Sequence, residues 1–184
     1  MRVIAGDKKG RRLSTPSGTG TRPTSDRVKE AMFSIIGPYF DGGMVLDPFA
    51  GSGALGIEAL SRGSTHAVFV DRYSTEVIAA NLQALELVGQ ATVVRGAWPH
   101  AFEKIKRLAF VYDLVFLDPP YRLDVYADVM RWLAAEGLLA AGATIVAELA
   151  REHEPLRVAR FEESREHLYG ETKVCIYRYD SEGR

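Results

Sequence analysis

Between residues 44 and 149 the chain alternates short apolar runs with stretches in which apolar residues recur every three or four positions. The runs "MVLD", "AVFVD", "ATVVR", "YDLVFLD" and "ATIVAEL" have strand length and few polar residues, the pattern of strands buried on both faces. Helices are predicted between them over Ala54–Ser61, from about Ser74 to Glu86, around His100–Arg107, and from about Val125 to Ala135. Strands alternating with helices build a parallel sheet with right-handed crossovers. Upstream, Val28, Ala31, Met32, Ile35 and Ile36 form one helical stripe. Thr24 or Ser25 can cap that helix, and Asp26 suits the dipole of its first turn.

The two ends read differently. "RVIAG" and "RRLSTP", flanked by Gly6, Gly10 and Pro16, predict a small β-hairpin, followed by a Gly/Thr/Pro loop over 17–24. "LRVARFEESREHLYGETKVCIYRYD" alternates polar and apolar residues around Tyr169-Gly170-Glu171, which predicts a two-stranded antiparallel finish. The expected fold is therefore α/β: a doubly wound, mostly parallel, seven-stranded sheet with an antiparallel C-terminal strand and a small N-terminal hairpin. Residues 1–24 form a basic extension and 25–184 one α/β domain.

Asp47, Asp71 and Asp118 each end a predicted strand, so all three fall on the carboxyl edge, where open α/β sheets bind ligands. Between the first two lie Gly51, Gly53 and Gly56, spaced G-x-G-x-x-G. In a dinucleotide fingerprint the first glycine follows the strand almost directly, so that the backbone can approach pyrophosphate. Here Asp47-Pro48-Phe49-Ala50 intervenes. A carboxylate at Asp47 repels phosphate and attracts a cationic amine. S-adenosylmethionine carries such an amine and a sulfonium, and its own carboxylate suits the amides at a helix start. Asp71 could accept both ribose hydroxyls of either cofactor. A bare strand-to-helix turn without ligand is the remaining alternative.

"DPPY", Asp118-Pro119-Pro120-Tyr121, ends the fourth predicted strand. An exocyclic base amine is a poor nucleophile because its lone pair is delocalised into the ring. Asp118 and the Pro119 carbonyl can accept its two N–H groups and turn the lone pair toward a methyl donor. The prolines add no competing N–H and stiffen the turn, while Tyr121 can stack on the base. The same tetrapeptide could close a strand with no catalytic role, but it stands downstream of the glycine loop and Asp71.

Charge alters this picture modestly. Residues 1–30 hold eight bases against three acids, leaving the rest of the chain acidic within a net charge of −1. A basic arm on an acidic body fits a polyanionic partner or a solvated terminus. Four scattered histidines and the single Cys175 show no metal-ligand spacing, so no metal is expected. One cysteine fits a cytoplasmic protein. No apolar run approaches the ~18 residues of a membrane span. A monomer is expected.

The chain resembles the bacterial RsmD family, the small-subunit (16S) rRNA guanine-N2 methyltransferases of the Rossmann-like class. The resemblance rests on "RVIAG", "TRPTSDRVKEAMFSII", "DPFAGSGALGIEALSRG", "DPPY" and the closing "YGETKVCIYRY", and spans nearly the whole chain. It implies S-adenosyl-L-methionine as cofactor, held by Asp47, Phe49, Gly51, Gly53, Asp71 and Ala97. It implies catalysis on a guanine amine by Asp118, Pro119, Pro120 and Tyr121. Arg11, Arg12, Arg22, Thr24 and Arg27 would face small-subunit rRNA or an assembling small ribosomal subunit. One departure stands out: Gly96 occupies the position where such enzymes carry Asp or Asn for adenine, leaving the contact to the backbone of Ala97, with Trp98 expected in the core. The rival readings are an adenine-N6 methyltransferase on RNA or DNA, a protein amide methyltransferase, an NAD-dependent oxidoreductase and a non-catalytic RNA-binding module.

Overall fold

The computed structural model describes residues 1–16, 26–120 and 123–183. Seven strands form one sheet: β1 (Met44–Asp47), β2 (His66–Asp71), β3 (Ala91–Arg95), β4 (Tyr112–Leu117), β5 (Leu139–Ala150), β6 (Phe161–Tyr169) and β7 (Thr172–Tyr179). Their spatial order is β3-β2-β1-β4-β5-β7-β6. β1 to β5 pair in parallel, and β7 runs antiparallel between β5 and β6. The order reverses at β1, which has β2 on one side and β4 on the other. That switch point opens the crevice expected to take a ligand.

Helices α1 (Asp26–Ile36), α2 (Ala54–Ser61), α3 (Thr75–Ala84), α4 (Phe102–Arg107) and α5 (Tyr126–Ala135) complete the domain. Strand alternation sorts the core into two layers. Leu46, Val68, Val115, Leu117 and Ala147 point toward one face, with α4 and α5. Val45, Phe69, Leu114, Phe116 and Val146 point to the other, with α1, α2 and α3. Among the described residues no helix is long and apolar enough to cross a membrane.

Some boundaries differ from the sequence expectation. β5 begins at Leu139, four residues early, because Leu139 pairs with Tyr112 before the register shifts to Leu114–Thr144. α3 stops at Ala84 because Glu86 turns left-handed at φ 58°. The N-terminal hairpin forms one bridging pair, Arg2 with Arg12, flanked by backbone hydrogen bonds of Val3 with Gly10 and Arg11 and of Leu13 with Met1, rather than two full strands.

That hairpin is built into the core. Val3 and Leu13 are buried, and a buried carboxylate, Glu58 of α2, holds the neighbouring backbone. Its Oε1 accepts the amide of Ala5 and the Nε of Arg62, at 2.9 and 2.8 Å. Its Oε2 accepts the amide of Ile4 at 2.9 Å and pairs with Lys29 Nζ at 3.0 Å. Lys29 also donates to the Arg2 carbonyl at 2.5 Å, so α1, α2 and the hairpin share one ionic hub. Asn81 of α3 adds a second tie, exchanging hydrogen bonds with the backbone of Ser14.

Candidate active site

The loop from Pro48 to Gly53 connects β1 to α2 at the carboxyl edge, and its glycines have different tasks. Gly53 caps α2 in the left-handed region at φ 82°, where other residues are strained. A Cβ at Gly51 would meet nothing within 4 Å, so the space above that backbone is open. Gly56 lies within α2, and a Cβ there would stand 2.3 Å from the Phe69 ring. The third glycine of the motif therefore serves helix-to-strand packing and not ligand approach.

Two acids fix the loop. Asp47 is 2% exposed, and its Oδ2 accepts the Gly56 amide at 3.1 Å. Burial, which that hydrogen bond opposes and nearby Asp71 reinforces, pushes its carboxyl up to about 7. Asp71 accepts the amides of Tyr73 and Ser74 on Oδ1, at 2.8 and 2.7 Å, and that of Gly51 on Oδ2 at 3.1 Å. A carboxylate has about four acceptor sites, so one remains on Oδ2 for a ribose hydroxyl.

Asp118 directly follows the last residue of β4. Burial first, then the charges of Glu148 and Asp47, raise its carboxyl well above the ordinary carboxylate range. By alternation Asp47, Asp71, Asp118 and Glu148 all face the α2 side of the sheet. The structure thus brings the three predicted acids together at the switch point and adds a fourth. Glu148 escaped the sequence reading, although its signal was visible as the one acid in "ATIVAEL". Pro119 is buried beside Asp118, Pro120 is exposed, and the Pro120 carbonyl accepts the Leu123 amide at 2.7 Å. Tyr121 lies outside the described residues.

The other predicted residues fall as follows. Phe49 is half-buried and packs on the α4–α5 side of the core. Ala97 is exposed at the end of β3, with its carbonyl accepting the Ala101 amide at 2.9 Å. Gly96 has φ 152°, and a Cβ there would come 2.7 Å from that of Ala101, which accounts for the missing side chain. Trp98 packs edge-on against Phe102 and Trp132, as a core residue. Arg12 and Arg27 are exposed. Arg11 is not brought to the pocket: its guanidinium binds the carbonyl of Ala84, at the end of α3 remote from the carboxyl edge. Arg22 and Thr24 lie outside the described residues. Tyr73, 78% exposed beside Asp71 with the Arg72 guanidinium over its ring, was not singled out by sequence.

Comparison with known proteins identifies the family and the fold. The family described as "Conserved hypothetical protein 95" matches residues 1–178. Protein YlbH of Bacillus subtilis (strain 168) is 45% identical over 181 residues, covering 97% of this chain and 98% of the relative. "Ribosomal RNA small subunit methyltransferase D" of Escherichia coli (strain K12) is 34% identical over 186 residues, covering 100% of this chain and 92% of the relative. In fold, the chain is similar to an RNA methyltransferase from Salinibacter ruber solved in complex with S-adenosyl-L-homocysteine. That likeness has a TM-score of 0.64 at 16% identity and covers 89% of this chain and 97% of that one. Matched along nearly its whole length, the chain belongs to this family, the RsmD family whose motifs it carries.

Proposed function

We propose that this protein transfers a methyl group from S-adenosylmethionine to the exocyclic N2 of a guanine in small-subunit rRNA. The observation that carries the reading is Asp118-Pro119-Pro120 at the carboxyl end of β4, facing the glycine loop across the β1/β4 switch point.

The donor set fits the cofactor. Asp47, Asp71 and Asp118 gather three carboxyl groups at one edge, where burial and mutual repulsion raise Asp47 and Asp118. A cationic ligand would favour their ionised forms and pyrophosphate would not. Asp47 faces the ammonium group, the amides opening α2 face the carboxylate, and the free acceptor on Asp71 faces the ribose. The Ala97 amide serves the adenine in place of the side chain that Gly96 lacks. When bound, S-adenosylmethionine supplies an electrophilic methyl group on sulfur.

The protein's share is orientation and charge. Asp118 and the Pro119 carbonyl accept the two N2 hydrogens, which localises the lone pair and points it toward the donor. As N2 becomes positive, the Asp118 carboxylate stabilises it and accepts the proton that N2 must lose. Tyr121 stacks on the base. Arg12, Arg22, Thr24 and Arg27 meet the RNA backbone, and Arg11 extends that surface away from the pocket.

Labelled methyl groups offered with ribosomal particles from an unmethylated strain should enter small-subunit rRNA and not large-subunit rRNA. Label in neither would end the proposal. Cofactor affinity should also depend on pH. Asp47 is half protonated near pH 7 in the free protein, and a cationic ligand needs it ionised. Binding below pH 7 must therefore displace a proton, and affinity should fall by up to about tenfold per pH unit toward pH 5. Calorimetry across that range tests this, and Asp47→Asn should flatten the profile. A flat wild-type profile would remove Asp47 from the site.

A further inference from the structure

The only asparagine of the chain, Asn81, sits buried in α3, although asparagine is a poor helix former. Both of its donors and its acceptor are used. Oδ1 accepts the Ser14 amide at 2.8 Å, and Nδ2 donates to the carbonyls of Ser14 and Ser52, each at 3.0 Å. Ser52 stands between Gly51 and Gly53 in the glycine loop. The peptide that joins Ser52 to Gly53 is held at its other edge too, where the Gly53 amide donates to the Ala50 carbonyl at 2.7 Å. Asn81 therefore fixes one edge of the peptide on which the loop turns into α2.

Ser14 belongs to the N-terminal hairpin, whose open end stands on that loop. Met1 Sδ lies 3.7 Å from Ser52 Oγ, and the Leu13 amide donates to the Met1 carbonyl at 3.1 Å. The hairpin's turn is anchored at the opposite end of α2, where the Asp7 amide meets the Ser61 carbonyl at 2.8 Å and the Lys8 amide meets Ser61 Oγ at 3.0 Å. Fixed at both ends, the hairpin braces the loop. We infer that Asn81 is a positioning residue through which the N-terminal hairpin sets the glycine loop, so that cofactor affinity depends on the hairpin as well as on the acids at the loop. This rests on the methyl-transfer reading above, in which the amides opening α2 face the cofactor's carboxylate. Asn81 touches neither cofactor nor base; it holds the peptide from which those amides follow. A loop released at Ser52 must be ordered again when the cofactor binds, which weakens binding and leaves the chemistry of the bound cofactor in place.

Asn81→Ala should weaken S-adenosylhomocysteine binding in calorimetry by about tenfold. Its KM for S-adenosylmethionine should rise in step, with kcat at saturating cofactor within about threefold of wild type. A merely structural role would instead lower the amount of active protein, and so kcat, with KM unchanged. Ser14→Pro reaches the same link from the hairpin side, since it deletes the amide that Asn81 accepts and leaves the glycine loop untouched. It should weaken S-adenosylhomocysteine binding by about threefold or more, and it decides the matter should Asn81→Ala fail to fold. Leu133→Ala, in the other core layer, costs stability without touching the loop and should keep the wild-type affinity. Ser14→Pro binding within about twofold of wild type overturns the inference, as does an equal loss of affinity in Leu133→Ala. So does a lowered kcat with unchanged KM in Asn81→Ala. Each of these results, with wild-type protein binding S-adenosylhomocysteine, removes the inference alone. Wild-type protein that binds none removes it together with the reading beneath it.

Discussion

Asp118→Ala should lower the rate of methyl transfer by about a hundredfold or more, the usual effect of removing a group aimed at charge that develops in the transition state. Cofactor binding should survive, because the groups proposed to hold it are Asp47, Asp71 and the backbone of the β1–α2 loop. Stability should survive too. Asp118 stands against the charges of Glu148 and Asp47, so its removal relieves repulsion. Asp118→Asn keeps one acceptor and should fall between alanine and wild type. Single-turnover kinetics, calorimetry with S-adenosylhomocysteine and a melting curve separate these claims. Unchanged turnover in Asp118→Ala would remove the carboxylate from catalysis, and a collapsed melting temperature would make its role structural.

The second large effect is far from the chemistry. Glu58→Gln should destabilise the fold by about 3–5 kcal/mol, because it leaves Lys29 buried without its anionic partner. For a chain of this size that lowers the melting temperature by roughly 10 °C. The loss is sharper than for an ordinary ion pair, since the same carboxylate also holds the Ile4 and Ala5 amides and the Arg62 guanidinium. Adding Lys29→Met removes the stranded charge, so the double variant should unfold at a higher temperature than Glu58→Gln alone. A melting temperature for Glu58→Gln within two degrees of wild type, corresponding to less than about 1 kcal/mol, would show that the hub contributes little.

These two sites mark what local pattern can and cannot convey. Asp47, Asp71 and Asp118 were legible because a strand-ending acid needs only the period of its own strand to be placed on the carboxyl edge. The mostly parallel α/β class followed from the alternation of apolar runs with helical stretches, whereas the order of the strands came only with the structure. Glu58 was not legible. In "LGIEAL" it looks like an ordinary helix-surface acid, and its burial depends on Lys29 and on Ile4 and Ala5, more than fifty residues away. The same long-range contacts dock the basic N-terminus on the domain, so that Arg11 reaches the end of α3. Glu148 needed the register of β4 against β5 before its position beside Asp118 had meaning. The G-x-G-x-x-G spacing combined unlike tasks, since Gly56 answers to the Phe69 ring and Gly51 to open space.

The most direct test of the central claim is the identity of the methylated nucleoside. Small-subunit particles from a strain lacking the modification are incubated with the protein and labelled S-adenosylmethionine, and the rRNA is digested to nucleosides. The proposed guanine-N2 reading predicts label in N2-methylguanosine. Label in N6-methyladenosine, or none in the rRNA, would contradict it.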